Sequence, residues 1–230
     1  MEEIKEVNPR TVRFSTAPWY QPKLECIIIG LGGIGSYLSF FLGRQEAELY
    51  LYDYDIISET NIGGQFYQDR QSGWTKETAT IELLSIFSDN QKGHVNGKYT
   101  KESFSSAYMF CCPDNMEARK IAFENWVQYT IDNPDDPCIF IEGSMSAENM
   151  CVHFITKDKI KEYRDYLYSD IVIEALPCNF KATSHCGSMC ASIMVSGFNN
   201  YISNVKLGAD VREIPFEVRI QLPDFNIAIK

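Results

Sequence analysis

The sequence predicts an α/β fold with a doubly wound, mostly parallel sheet, a C-terminal crossover and antiparallel strands. Three observations lead to this prediction. Short apolar runs that fit buried strands alternate with longer segments that carry apolar residues at helical spacing. The first run passes straight into a glycine-rich turn and a helix, CIIIGLGGIGS at 26–36. The stretch 213–230 alternates apolar and polar residues, as a half-buried strand does. Strands that alternate with helices imply right-handed crossovers and parallel pairing.

The strands are predicted in order along the chain. The run 24–29 is short and apolar, and ELYLYD at 48–53 is the next strand. A third lies at 107–112 (AYMFCC) and a fourth at 137–143 (PCIFIEG), both apolar enough to be buried on two faces. The segment 149–156 alternates in period two, and 94–99 is a further short candidate. Pro223 interrupts the final alternating stretch.

Helices are predicted between these strands. In 33–43, Ile34, Leu38, Phe41 and Leu42 fall on one helical face. Further helices are expected at 74–87, 115–130 and 184–201. The first 22 residues form an irregular arm, because Pro9, Pro18 and Pro22 interrupt regular structure. Residues 23–230 are predicted to form a single domain, since no repeat or linker divides them.

Composition narrows the function. The 230 residues carry a formal charge of −10, which argues against nonspecific binding to nucleic acid or to an anionic membrane. The start, MEEIKEVNPR, lacks the apolar core of a secretory signal, and no apolar run approaches the ~18 residues of a membrane span. The eight cysteines include no C-x-x-C pair and are expected to be mostly reduced, so the predicted location is the cytoplasm.

The glycine loop predicts a nucleotide site. Gly30, Gly32, Gly33 and Gly35 let the backbone turn sharply and approach a phosphate, while the next helix directs free N–H groups at it. Asp53 ends the following strand, where a carboxylate meets ribose hydroxyls in Rossmann-like folds. Taken alone, this pattern fits NAD, FAD and ATP equally.

Further motifs distinguish these nucleotides. They are DYDIISETNIGGQF at 53–66, GWTK at 73–76 and CPDNMEAR at 112–119. Together with GLGGIG they resemble the adenylating family of ThiF, MoeB and the ubiquitin-activating enzymes, in order and in spacing. The resemblance covers about 20–205 and implies that ATP is a substrate.

The resemblance also implies roles for individual side chains. Asp53 is expected to hold the ribose, and Asn61, Gln65 and Lys76 to lie along the phosphates. Asp114 is expected to hold Mg²⁺, directly or through water. Lys76 and Mg²⁺ would supply positive charge where negative charge develops. Asn115 and Arg119 brace this corner, and Asp55 is left outside the core site.

One position departs from the family pattern. Gly64 stands where the family has an Arg directly before Gln65. Either another arginine replaces it or the adenylation site is weakened. Arg70 lies nearby in sequence, and Arg10 and Arg13 lie in the arm. In relatives an N-terminal Arg reaches the partner subunit's site, a role open to Arg13 if it is not simply a surface residue.

The cysteines raise two further expectations. The two C-x-x-C pairs of the family zinc site are missing, and Cys178, His185, Cys186 and Cys190 are irregularly spaced, so no structural zinc is expected. Cys178, in LPCN, resembles the position where relatives place a catalytic cysteine or a zinc ligand. Cys186 and Cys190 are one helical turn apart and are expected to face the core.

The resulting hypothesis is ATP-dependent adenylation of the C-terminal carboxylate of a ubiquitin-like or sulfur-carrier protein with a Gly-ended tail, releasing pyrophosphate. Whether the reaction ends at the adenylate or continues to a cysteine stays open. A homodimer is expected from the resemblance. The alternatives are a catalytically weakened scaffold or partner subunit, an NAD- or FAD-dependent oxidoreductase, and an ATP-dependent enzyme acting on an RNA base or a small molecule.

Overall fold

A computed structural model describes residues 9–88, 93–168 and 183–230 of the chain. Its strands form one eight-stranded sheet in the order β3-β2-β1-β4-β5-β6-β7-β8. The strands are β1 Glu25–Ile29, β2 Glu48–Tyr52, β3 Gly93–Val95, β4 Tyr108–Cys111, β5 Ile139–Ser146, β6 Asn149–Ile155, β7 Glu217–Gln221 and β8 Asn226–Ile229. The helices are α1 Gly35–Arg44, α2 Glu59–Ile62, α3 Lys76–Ser88, α4 Met116–Asp132, α5 Ile160–Leu167 and α6 Ser184–Leu207.

The first five strands of the sheet order are parallel, and β5, β6, β7 and β8 are antiparallel neighbours. Alternate residues of each central strand enter opposite cores. Cys26 and Ile28 of β1 pack beneath α1, α3 and α6, whereas Ile27 and Ile29 pack beneath α4 and α5. Helices therefore cover both faces, which confirms the predicted doubly wound α/β fold with antiparallel strands at its C-terminal side.

Most element boundaries lie within a few residues of the predictions, with five differences. The four-residue helix α2 was not predicted. The predicted strand at 94–99 is only Gly93–Val95, and β5 continues past the predicted end to Ser146. Helix α6 runs six residues beyond 201, to Leu207, and ends at Gly208 in the left-handed conformation. Helix α5 was not predicted, because polar residues dominate it and only Tyr163 and Leu167 are buried.

The arm packs against the rest of the protein from Thr11 onward. The Tyr20 hydroxyl donates to Glu46, and Phe14 and Trp19 stack at 5.3 Å between ring centroids. In the described part of the chain, no helix is long and apolar enough to cross a bilayer. The division into an arm at 1–22 and a single domain at 23–230 stays a prediction.

Candidate nucleotide site

The glycine loop lies at the carboxyl edge of the sheet, between β1 and α1. Gly30 has a φ of 84°, and a Cβ there would lie 2.8 Å from the Cys112 carbonyl carbon and oxygen. A Cβ on Gly35 would lie 1.8 Å from the Gly30 carbonyl oxygen. Both positions therefore exclude any side chain, and the turn brings the end of β4 directly against the loop.

The first turn of α1 offers unpaired donors. Among the described residues, no group accepts a hydrogen bond from the backbone N–H of Gly32, Gly33, Ile34 or Gly35. The N-cap residue is Ile34, whose side chain cannot accept one. A Cβ on Gly32 would meet none of the described residues within 4 Å. The N–H groups and the positive end of the helix dipole are suited to bind an anion.

Asp53 faces this loop from the end of β2. Its Oδ2 accepts the Leu31 N–H at 2.7 Å, and its Oδ1 accepts the Asp55 N–H at 2.8 Å. Burial raises the pKa of the Asp53 carboxyl, and the charge of Lys76 and the hydrogen bond from Leu31 oppose that rise. The sequence placed this carboxylate next to the loop, and the structure shows it there.

Lys76 begins α3 and reaches the same corner. Its Nζ lies 2.6 Å from Asp55 Oδ2 and 3.5 Å from Asp53 Oδ2, and the side chain is buried. The sequence analysis left Asp55 outside the site, whereas its carboxylate is the nearest partner of Lys76. The D-x-D spacing at 53–55 was the available signal, since it places two carboxylates at one strand end.

The loop after Asp53 is tied to the glycine loop. The Phe66 N–H donates to the Ser36 hydroxyl at 3.0 Å, and the Tyr67 hydroxyl donates to the Leu31 carbonyl at 2.8 Å. Gln65 therefore lies close to the first turn of α1, and its buried Oε1 has no hydrogen-bond partner in the described part of the chain. Such an atom marks a position where a further polar group is needed.

Asn61 has a local structural role. Its Oδ1 accepts from the Ser58 N–H and hydroxyl, each at 3.0 Å, at the start of α2. A phosphate contact by Asn61 stays a prediction, and in the structure this oxygen serves the turn that carries Gly64 and Gln65.

Asp114 lies between β4 and α4. Its carboxylate is exposed, and within the described residues it makes no hydrogen bond or ion pair. A free carboxylate beside the glycine loop suits Mg²⁺, which prefers oxygen ligands and keeps several waters. Asn115 caps α4 by accepting the Ala118 N–H at 2.8 Å, and Arg119 donates twice to the Pro113 carbonyl. Both residues thus hold the backbone on either side of Asp114.

Arg119 begins a buried chain of charges that the sequence analysis missed. It is ion-paired with the fully buried Glu142, whose Oε2 lies 2.9 Å from His153 Nδ1. His153 Nε2 in turn lies 3.1 Å from Glu217 Oε2. Burial alone raises the pKa of Glu142, but Arg119 and His153 outweigh it and hold that pKa below its usual range. Burial lowers the pKa of His153, but Cys151 and Glu142 raise it to about 10.

The substitution Glu142→Gln is expected to lower the free energy of unfolding by about 2 kcal/mol, because it leaves a buried guanidinium without its counter-charge. The matched control is Glu124→Gln. Glu124 pairs with Arg164 at 2.8 Å, and both side chains are 41% exposed, so its loss should cost under about 1 kcal/mol. Urea unfolding of the two variants compares them, and equal losses would show that the buried pair has no special weight.

The remaining predicted residues lie elsewhere or outside the description. Arg70 is paired with Glu82 at 2.7 Å, about two turns along α3 from Lys76, so it does not replace the missing arginine. Arg13 is exposed. Cys178 lies outside the described residues. Cys186 and Cys190 are fully buried in the core beneath α6, which confirms that they face inward, and the described cysteines are free.

One contact near the loop carried no sequence signal. A Cβ on Gly187 would lie 2.1 Å from the Gly33 carbonyl oxygen, so the first turns of α6 pack directly on the glycine loop. Helix α6 is thus part of the wall of the candidate site, and Gly187 is required for its close approach.

No protein-family model matches the chain. Over an alignment 116 positions long, which covers 42% of this chain, the sequence is 34% identical to ubiquitin-like modifier-activating enzyme 5 of Dictyostelium discoideum and covers 30% of that enzyme. A segment of 79 residues, 34% of this chain, is 35% identical to the enzyme of the same name from Oryza sativa subsp. japonica and covers 17% of it. The chain thus spans less than a third of the length of these curated relatives.

Solved structures resemble the whole chain. MccB from E. coli with ATP gives a TM-score of 0.66 at 14% identity, over 97% of this chain and 71% of that one. MccB with AMPCPP and MccA has a TM-score of 0.68 at 14% identity, over 97% of this chain and 71% of that one. PaaA has a TM-score of 0.66 at 16% identity, over 93% of this chain and 64% of that one. These likenesses show the fold. Together with the sequence matches they confirm the resemblance to ThiF, MoeB and the ubiquitin-activating enzymes.

Proposed function

We propose that this protein, with motifs and a fold of the ThiF and MoeB type, uses ATP to adenylate a C-terminal carboxylate. One observation carries the proposal: the N–H groups at the start of α1 have no acceptor in the described part of the chain, and Asp53, which accepts the Leu31 N–H of the same loop, lies 3.5 Å from Lys76 Nζ. An anion site, a ribose-binding carboxylate and a cation together match a nucleoside triphosphate. A carboxylate oxygen attacks the α-phosphorus, the bond to the β-phosphate oxygen breaks, and pyrophosphate leaves.

Lys76 has two roles in this proposal. With no nucleotide bound, its charge is balanced by Asp53 and Asp55. With ATP bound, the exposed Asp55 releases the ammonium group to the triphosphate, while the buried Asp53 retains the ribose. Asp114 would hold Mg²⁺, which would supply further positive charge on the phosphates. Lys76 thus changes its partner from Asp55 to the triphosphate when ATP binds, and α3 need not move far for this exchange.

The proposed substrate is a ubiquitin-like or sulfur-carrier protein, or a peptide, with a Gly-ended tail. Two findings support this class. The curated relatives are named for activating a ubiquitin-like modifier, and MccB has been crystallised together with MccA as well as with ATP. The adenylate either is the product or is passed to a cysteine, for which Cys178 is the candidate. We also propose that the protein is located in the cytoplasm and forms a homodimer.

A second candidate is a non-catalytic partner subunit with a weakened nucleotide site. Gly64 favours it, because the arginine expected beside Gln65 is absent and Arg70 is committed to Glu82. Such a subunit would still fold around the glycine loop but would not turn over ATP.

ATP–pyrophosphate exchange tests these candidates. The full chain is assayed with Mg²⁺ and with carrier proteins or peptides that end in Gly-Gly, against the same carriers amidated at the C terminus. Exchange that requires the free carboxylate supports the proposal. ATP binding without exchange for any carrier favours the scaffold, and nicotinamide or flavin binding in place of ATP favours an oxidoreductase. Mass spectrometry of adenylated products detects an RNA base or small molecule as the acceptor.

A mixing experiment tests the role proposed for Arg13 across a dimer. Phe14 and Trp19 line a cavity of about 310 Å³ with Arg44 at the C-terminal end of α1. That end lies about 15 Å from the glycine loop, so Arg13, next to Phe14, starts far from its own chain's site. We expect Arg13→Ala to reduce exchange about tenfold. Equal mixing with the inactive Lys76→Met chain should restore about a quarter of wild-type activity, since half the dimers gain one complete site. If the exchange activity of the mixture equals only the sum of the activities of the two variants alone, the site is not shared between subunits.

A further inference from the structure

The antiparallel side of the sheet gathers three possible metal ligands that the proposed function does not use. Cys151 and His153 lie two residues apart on β6 and therefore on the same face of the sheet. Glu217 of β7 is the register partner of His153. Their ligand atoms all lie within 4.8 Å of one another.

Two of the three ligand atoms already have the spacing of tetrahedral ligands. His153 Nε2 and Glu217 Oε2 are 3.1 Å apart, against about 3.3 Å in a tetrahedral zinc site with ordinary bond lengths. Cys151 Sγ lies 3.9 Å from Glu217 Oε2 and 3.9 Å from each ring nitrogen of His153, against about 3.6 Å between sulfur and nitrogen in such a site. Because the sulfur is equidistant from both nitrogens, the Cys151 side chain must turn towards Nε2 for the three atoms to surround one ion.

The surroundings of His153 also match those of a metal ligand. Its Nδ1 lies 2.9 Å from the Glu142 carboxylate, which Arg119 holds from the other side. When Nδ1–H donates to that carboxylate, the lone pair of Nε2 is on the side of Glu217, whose Oε2 lies 3.1 Å away. The ring is fully buried and packs on Tyr166 at 4.4 Å between centroids, so its orientation is fixed.

An ion-pair network explains only part of this arrangement. A protonated His153 pairs with both carboxylates, and Arg219 at 2.7 Å and Lys230 at 3.1 Å from Glu217 add further positive charge. In this network the Cys151 thiol has only the minor role of a weak donor to Glu217 at 3.9 Å. The Arg219 and Lys230 side chains are 52% and 68% exposed, so both can move away from Glu217 when a cation approaches.

We propose that Cys151, His153 and Glu217 bind one zinc-class divalent cation, which ties β6 to β7, with solvent at the fourth position. Thiolate, imidazole and carboxylate are the donor types that zinc combines. The half-buried Cys151 leaves one side of the site open to water. As the metal–sulfur and metal–nitrogen bonds form, the thiol proton and the proton between His153 and Glu217 leave to solvent, so the charge of the cluster is unchanged. This site is separate from the nucleotide site and differs in ligands from the paired C-x-x-C arrangement.

Cobalt(II) is the probe, because a tetrahedral cobalt site with a thiolate ligand has visible d–d bands and a near-ultraviolet sulfur-to-metal charge-transfer band. The full chain, freed of metal and kept reduced, is titrated with Co²⁺ and then with Zn²⁺. We expect one equivalent of Co²⁺ to give the charge-transfer band, and Zn²⁺ to displace it and raise the melting temperature.

Cys151→Ser should abolish the charge-transfer band and weaken Zn²⁺ binding at least about 100-fold. Its side chain is half-buried, so this variant is expected to fold, and circular dichroism checks that it does. Cys138→Ser, which removes a free cysteine elsewhere in the fold, is the matched control and should bind as the wild type does. Absence of one-to-one binding, or a charge-transfer band that survives in Cys151→Ser and disappears in Cys178→Ser, would overturn the proposal.

Discussion

Replacing Lys76 by methionine is expected to reduce ATP–pyrophosphate exchange by about a thousandfold. The buried Lys76 at the start of α3 places its ammonium group 3.5 Å from Asp53, which accepts the Leu31 N–H of the glycine loop. Methionine keeps most of the apolar stem and removes only the charge. The loss should appear mainly in kcat if the ammonium group acts on the developing negative charge, and in KM if it only binds the triphosphate.

The same substitution has an effect on the folded protein that can be measured separately. Without Lys76, Asp53 loses the charge that opposes the rise of its pKa through burial, so that pKa should rise further. Lys161→Met, at an exposed position in α5, is the control for loss of a lysine and should leave both exchange and folding unchanged. Exchange above about a tenth of the wild-type rate in a folded Lys76→Met protein would contradict the role given to Lys76.

The sequence predicted the parts of the site that depend on neighbouring residues in the chain. The glycine loop, the strand before it and Asp53 lie within one β-α-β unit, so their geometry follows from local pattern. Asp55 was missed because a carboxylate in a polar loop is ordinarily solvated. Its pairing with Lys76, 21 positions further along the chain, depends on how α3 packs against the sheet.

The buried charges were missed for a related reason. His153 and Glu217 are 64 residues apart and meet only through the register of β6 and β7. In the sequence, His153 and Glu217 each look like a polar residue in a strand of alternating polar and apolar residues, and such a residue can equally face solvent. The approach of Gly187 to Gly33 likewise depends on how helix α6 packs, and a glycine inside a helix does not by itself predict which element packs against it.

Introducing arginine at Gly64 is expected to increase ATP–pyrophosphate exchange about a hundredfold, if the chain adenylates weakly because this donor is absent. The backbone allows the change, since Gly64 lies outside the left-handed region that Gly30 and Gly73 occupy. The position is also well placed. Two residues later, the Phe66 N–H binds Ser36 in the first turn of α1, so a side chain at 64 starts near the phosphate site. The buried Oε1 of Gln65, next in the chain, would gain a donor within reach.

The adjacent glycine provides the matched control for this gain. Gly63 ends α2 with a φ of −64°, and a Cβ there would meet nothing within 4 Å, so Gly63→Arg adds the same charge without strain. A general attraction of ATP to added positive charge would raise exchange in both variants and would fall with ionic strength. A positioned donor would act only from residue 64 and would raise kcat more than it lowers KM. Equal gains at 63 and 64 would mean that added charge raises exchange from either position, and that a positioned arginine at 64 is not what the site lacks. No gain at 64 would contradict the expectation that the missing arginine limits exchange.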